Sequence, residues 1–279
     1  MIKEFLNFIR IKHWIKNFFV FSPIVFAGRF FDMESFRLSS FAFGGFCFVA
    51  SSVYVINDLY DIKEDRRHPF KNQNFLRDHL HPNAYYVSIS LSLLLLGLLL
   101  CLQAGWSVVF VALAYFFMNL IYSAYVKRII FIDIIFIAIG FQLRIMAGAL
   151  ASGVKLSSWI QLCAFLLALF LGFSKRKRER LLLKDKATQY RATLHYYSDR
   201  LLDVLMIVFS ALTILSYLFY CLFSSVPQRL SGKIFSFSTV FVVLGITRYF
   251  YLTYFRKDHP DFAEILFSDT PLFLIIFLW

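Results

Sequence analysis

The sequence predicts an all-α polytopic membrane protein of about nine transmembrane helices, and three observations lead there. Of the 279 residues, 59% are hydrophobic and only 16% charged, whereas soluble domains run near 45–50% apolar and about 25% charged. The same numbers exclude intrinsic disorder, which requires the opposite balance. Thirty-six Phe and 15 Tyr make a chain suited to face lipid. Finally, the basic residues alternate along the chain in the way that membrane topology demands.

Apolar stretches fall at about 17–30, 37–57, 84–102, 106–125, 130–150, 157–174, 198–223, 234–253 and 265–279, each long enough for a span or nearly so. The first follows Lys3, Arg10, Lys12 and Lys16. It has the charge order of a signal peptide, but no small-x-small cleavage site follows Phe18–Gly28, so it is read as an uncleaved helix. The second ends in an acidic segment, and the loop after it carries Lys63, Arg66, Arg67, Lys71 and Arg77. Lys127 and Arg128 separate the fourth and fifth. A run from Lys175 to Arg200 separates the sixth and seventh, and Arg256 and Lys257 precede the last. With a cytoplasmic N-terminus, 22 of the 29 Lys and Arg lie on the cytoplasmic side and five (Arg29, Arg37, Lys155, Arg229, Lys233) on the other. That is the positive-inside pattern, and it accounts for the net charge of +12 without nucleic acid as a partner. Arg128, Lys177, Arg178 and Arg180 read as topology anchors, and Trp14 as an interfacial belt residue.

No repeat, low-complexity tract or linker divides the chain, so residues 1–279 read as a single integral-membrane domain. Cys47, Cys101, Cys163 and Cys221 fall in four different spans with no CxxC pair and read as small buried hydrophobes. His79 and His81 lack cysteine partners, which argues against zinc.

Chemistry concentrates in a few places. In Asn57-Asp58-Leu-Tyr-Asp61-Ile-Lys-Glu-Asp65, the three aspartates lie within about 60° of one another on a helix. Stacked carboxylates repel unless a cation lies between them, and an all-oxygen set suits Mg²⁺. The plainer reading is a solvated acidic helix end neutralised by Lys63, Arg66 and Arg67. Asp133 and Arg144 share a face of one apolar span, about 16 Å apart along its axis, and intramembrane ionisable residues mark functional cavities. Lys175 and Arg176 open the long basic run. Carboxylates for a metal and cations for phosphate oxygens together suit a metal-bound polyphosphate.

These motifs, in their order, resemble the UbiA-type intramembrane prenyltransferase superfamily typified by 4-hydroxybenzoate polyprenyltransferase. The likeness is greater to its branch that transfers phosphoribose to a polyprenyl phosphate. It runs through Trp14-Ile-Lys16-Asn17, Asn57-Asp58-x-x-Asp61-x-x-x-Asp65-Arg66-Arg67-His68-Pro69-Phe-Lys71, Tyr122 to Lys127, Asp133, and Phe141-x-x-Arg144-x-x-Ala147-Gly148. Ser174-Lys175-Arg176, Arg248-Tyr249 and Asp269-x-Pro271 complete it. Two departures stand out. Asn72-Gln73-Asn74-Phe75-Leu76 replaces the branch's usual basic-aromatic-Arg-Pro stretch. Ile137 stands where aromatic prenyltransferases carry the second aspartate of a DxxxD motif, which favours the phosphoribose branch.

The resemblance implies a UbiA-like bundle around a lipid-open cavity in the cell (inner or plasma) membrane, with its site loops cytoplasmic. It further implies Mg²⁺ on Asp58, Asp61 and Asp65, and two substrates, phosphoribosyl diphosphate and a polyprenyl phosphate lipid. Lys16, Asn17, Asn57, Arg66, His68, Lys71, Tyr122, Lys127, Asp133, Arg144, Lys175 and Arg176 would contact them. A second copy of the chain is admitted as a partner. The alternatives are an aromatic prenyltransferase using a prenyl diphosphate donor, and a transporter with Asp133 and Arg144 on an ion path. The transporter lacks the broken helix pairs expected of one.

Overall fold

Among the described residues, the first apolar stretch is mostly 3₁₀ coil rather than α-helix. The computed structural model describes residues 6–65, 83–183, 196–224, 232–256, 265, 266 and 268–279. In chain order, the 3₁₀ segment Ile11–Phe21 leads into α1 (Ser22–Phe26), then α2 (Met33–Asp65), α3 (Asn83–Ala104) and α4 (Trp106–Ala124). A 3₁₀ turn (Val126–Arg128) precedes α5 (Ile132–Ser152), α6 (Ser158–Leu183), α7 (Asp199–Phe223), α8 (Gly232–Phe237), α9 (Thr239–Phe255) and α10 (Thr270–Leu278). Among the described residues, seven helical stretches are long and apolar enough to cross a membrane. The first and ninth expected spans are the shorter pieces: Ile11–Phe26, mostly 3₁₀, and the nine-residue α10. At about 2.0 Å of rise per 3₁₀ residue, Ile11–Phe26 still extends about 30 Å, the thickness of a hydrocarbon core.

The helices group into two compact units: residues 1–136 with 143–155, and residues 137–142 with 156–279. In the first, α2 packs chiefly on α3, and also on the opening segment and α4. The α2–α3 contact is close because its residues are small. A Cβ added to Gly45 would lie 2.8 Å from the Gly97 carbonyl oxygen, and Ser52 Oγ sits 2.8 Å from Ser90 Oγ. Small residues and shared hydroxyls are what hold helices together where lipid removes the hydrophobic driving force. Phe46, Val49, Val108, Ala112 and Tyr115 fill the core beside them.

Asp32 starts α2. Its carboxylate accepts from Ser35 Oγ at 2.5 Å and Arg29 Nη2 at 2.8 Å, and these bonds hold it below the usual carboxylate range. The 33 residues of α2 run about 50 Å, well beyond a bilayer core. Its last turns, with Asn57, Asp58 and Asp61, are thereby carried toward the polar edge.

In the second unit, α6 packs on α7 and α9, and α9 on α10. Asp269 performs two tasks there. It accepts from the Leu272 backbone N–H at 2.8 Å, capping α10, and both its oxygens receive the Arg248 guanidinium, at 3.1 and 2.8 Å. The Asp-x-Pro motif is thus a helix start and an ion pair.

Candidate functional site

The acidic end of α2 is a small network within the first unit. Ser123, on α4, donates its hydroxyl to Asn57 Oδ1 at 2.9 Å. This orients the Asn57 amide so that Nδ2 donates to Asp61 Oδ2, one turn on, at 3.0 Å. The other oxygen of Asp61 is ion-paired with Lys127, which follows α4 in the 3₁₀ turn. Asp58 is buried and ion-paired with Arg10. Buried carboxylates persist as anions only when compensated, and here each aspartate has its own cation. Asp65 is the last residue of α2, and its side chain lies outside the described set. Tyr122 is half-buried beside Ser123.

Arg10 reaches Asp58 because of an unusual backbone. It adopts φ 54 and ψ 48, the left-handed region that an L side chain enters at a cost of about 1–2 kcal/mol. From there the 3₁₀ coil repeats every three residues, so Arg10, His13 and Lys16 stack on one face. The coil runs along the α2 residues Asp58, Tyr54, Ser51 and Cys47. The Arg10 guanidinium lies 5.2 Å from the Tyr54 ring centroid, and His13 meets the same ring edge-on at 5.3 Å. Lys16 Nζ is 3.4 Å from His13 Nδ1. Trp14, read from sequence as an interfacial belt residue, is half-buried and donates its indole N–H to Ser51 Oγ at 2.9 Å. Asn17 is fully buried, and its Nδ2 donates to Cys47 Sγ at 3.3 Å.

Arg144 completes this column. It is 5% exposed on α5. Its Nε donates to Asn17 Oδ1 at 2.7 Å and its Nη2 to the Tyr115 hydroxyl at 2.8 Å, with the guanidinium 4.6 Å from the Tyr115 centroid. Gly148, one turn on, lets Val20 approach: an added Cβ would collide with the Val20 carbonyl. Asp133 is fully buried in the first turn of α5. The chain enters that helix through a strained γ-turn, with Phe131 at φ 65 and ψ −42 and Ile132 N donating to Ile130 O at 2.8 Å. In one unit, then, the structure gathers Lys16, Asn17, Asn57, Asp58, Asp61, Lys127 and Arg144. Arg10, His13, Tyr115 and Ser123 join them without having been expected; the i, i+3 spacing of Arg10, His13 and Lys16 was the one signal in the sequence that could have grouped the first two with Lys16. Among the described residues no group of three His, Cys, Asp or Glu side chains could hold a metal.

The basic run lies in the second unit, where α6 continues to Leu183. Lys175 is exposed and Arg176 buried, with Arg176 Nη1 donating to Glu179 at 3.0 Å. Lys177 and Arg178 are more than the topology anchors their position suggested. Lys177 is 4% exposed and pairs with Asp199 at 3.1 Å and Asp203 at 2.8 Å, while Arg178 donates to the Tyr249 hydroxyl at 3.3 Å. Arg66, His68 and Lys71 lie outside the described residues.

The model of the UbiA prenyltransferase family matches residues 18–277. A decaprenyl-phosphate phosphoribosyltransferase of Corynebacterium glutamicum is 31% identical over 97% of this chain and 82% of its own length. One from Mycobacterium tuberculosis is 28% identical over 86% of this chain and 80% of its own. Among solved structures, a UbiA homologue from Archaeoglobus fulgidus bound to GPP and Mg²⁺ shares the fold, with TM-score 0.73 at 19% identity. That match covers 99% of this chain and 96% of the other.

Proposed function

The chain belongs to the UbiA prenyltransferase family, and on that premise we propose that it transfers 5-phosphoribose from phosphoribosyl diphosphate to a polyprenyl phosphate, releasing diphosphate. It is a multi-pass membrane transferase. The observation that carries the finer reading is the column in the first unit. Two aspartates, each paired with a cation, stand at one end, and further along the coil a buried guanidinium is held in a fixed orientation by Asn17 and Tyr115.

Asp58 and Asp61, with Asn57 beside them, form an all-oxygen donor set that fits a hard divalent cation. Asp65, two turns beyond Asp58 on the same helix, would be its third carboxylate. Mg²⁺ bound there would neutralise charge on the leaving diphosphate. The chain's own residues do the rest. Lys127 and Lys16 hold phosphate oxygens, and Arg144 supplies the planar fork that suits a phosphate bidentately. Lys175 and Arg176 are proposed as further phosphate contacts. The bond from ribose C1 to the diphosphate oxygen breaks, and a bond from C1 to the lipid phosphate oxygen forms. That nucleophile is already ionised near neutral pH, so no side chain needs to take a proton. Positioning and charge compensation supply the catalysis. The site loops would face the cytoplasm of the cell membrane.

Purified protein in lipid, given ribose-labelled phosphoribosyl diphosphate and decaprenyl phosphate, should yield label in an organic-extractable product, with diphosphate released and EDTA abolishing both. Prenyl transfer from a prenyl diphosphate to 4-hydroxybenzoate, with no labelled lipid, would overturn the assignment in favour of an aromatic prenyltransferase.

A further inference from the structure

We propose that Arg10 is a diphosphate-binding residue that, before substrate arrives, occupies Asp58 in the metal's stead and exchanges partners when the metal diphosphate binds. The inference rests on the metal role of Asp58 proposed above, and three observations favour it. Arg10 is ion-paired with a carboxylate oxygen that the metal would use, so the guanidinium and a divalent cation compete for one ligand. Its side chain is 27% exposed against 6% for Asp58, so the arginine can leave while the aspartate stays in place. And Arg10 holds left-handed backbone geometry that glycine would adopt without strain. Strain of this kind is retained where a side chain is needed in one place.

The exchange balances charge at both stages. In the structure, Asp58 is neutralised by Arg10 and Asp61 by Lys127. With substrate, the carboxylates are neutralised by the metal, and both cations are released to the non-bridging oxygens of the diphosphate. Guanidinium is well matched to those oxygens, because its fork makes paired charge-assisted bonds. The Tyr54 ring, 5.2 Å from the guanidinium, gives the side chain a cation–π surface to pivot over.

Competition makes a prediction of opposite sign for two probes. The full-length protein in nanodiscs is titrated with Mn²⁺ alone, read by electron paramagnetic resonance, and separately with inorganic diphosphate at saturating Mg²⁺, read by calorimetry. Arg10→Gly, which relaxes the backbone while deleting the guanidinium, should bind Mn²⁺ about tenfold tighter and diphosphate about tenfold more weakly, each corresponding to about 1.4 kcal/mol. Arg10→Lys should keep diphosphate affinity between that of wild type and Arg10→Gly. Should Arg10→Gly fail to fold, Arg10→Gln carries the same two opposite expectations. Asp58→Asn separates the two readings. If it leaves Mn²⁺ binding unchanged, the metal role of Asp58 falls and the exchange with it. If it abolishes Mn²⁺ binding while Arg10→Gly leaves Mn²⁺ affinity equal or lower, the metal role stands and the exchange is refuted. Parallel weakening of both probes by Arg10→Gly would mean that Arg10 only supports the fold.

Discussion

Replacing Arg144 by lysine keeps the charge and removes the fork, so it isolates what the guanidinium geometry contributes. In the structure Nε donates to Asn17 and Nη2 to Tyr115, at 2.7 and 2.8 Å in different directions. A lysine ammonium on this buried helix face can satisfy one of these partners but cannot span both. One charge-assisted hydrogen bond is worth about 1.5–3 kcal/mol, which is about ten- to a hundredfold in kcat/KM if it is expressed in substrate binding. The assay is label transfer from phosphoribosyl diphosphate into lipid, with KM determined separately for donor and acceptor. We expect Arg144→Lys to raise one of those KM values in protein that remains folded in detergent. Tyr115→Phe should cost about tenfold, since it removes one bond and leaves the cation–π face. Combined with Arg144→Lys it should cost less than the product of the two, because both act on one contact. Wild-type kcat/KM in Arg144→Lys would refute the fork's role, as would a loss that appears wholly as unfolding.

Asp61→Asn should abolish turnover and leave Asn57 and Ser123 linked; normal activity at ordinary Mg²⁺, in a protein with unchanged melting temperature, would remove the carboxylate from the site. Gly148→Ala forces a Cβ into the Val20 carbonyl, so it should cost about 1–3 kcal/mol of stability and shift Asn17 off Arg144; a variant as stable and active as wild type would contradict that packing. In the second unit, Asp199→Ala with Asp203→Ala strands the buried Lys177 ammonium and should destabilise by about 2 kcal/mol, a figure reduced for the exposure of the carboxylates. Adding Lys177→Met should recover most of that loss in thermal unfolding. All four native cysteines are buried, so cysteine introduced at Thr188 should react with an impermeant thiol reagent only in inverted vesicles; labelling of intact cells would reverse the topology.

The parts of the site that were legible from sequence are those with local periodicity. Asp58 and Asp61 could be placed on one helical face because α2 is regular through that stretch, and Arg144 was conspicuous as a charge among apolar residues. Their partners were not legible, because they are 48 residues away for Arg10 and Asp58, 66 for Lys127 and Asp61, and 127 for Arg144 and Asn17. No periodic pattern encodes such separations. A second obstacle is the kind of coil involved. Both cations that meet the carboxylates lie on or beside 3₁₀ coil, Arg10 just before Ile11–Phe21 and Lys127 within Val126–Arg128, where the α-helical period gives no guide to direction. A non-glycine residue at positive φ lies close to each, Arg10 itself and Phe131 three residues past Arg128. Hydrogen bonds in 3₁₀ coil have poorer geometry than those of an α-helix, and left-handed residues add local cost. The carboxylates are thus carried on a continuous α-helix and their cations on or beside short 3₁₀ coil. An exchange in which the Arg10 and Lys127 side chains move to phosphate while Asp58 and Asp61 stay on α2 therefore leaves the long helix undisturbed.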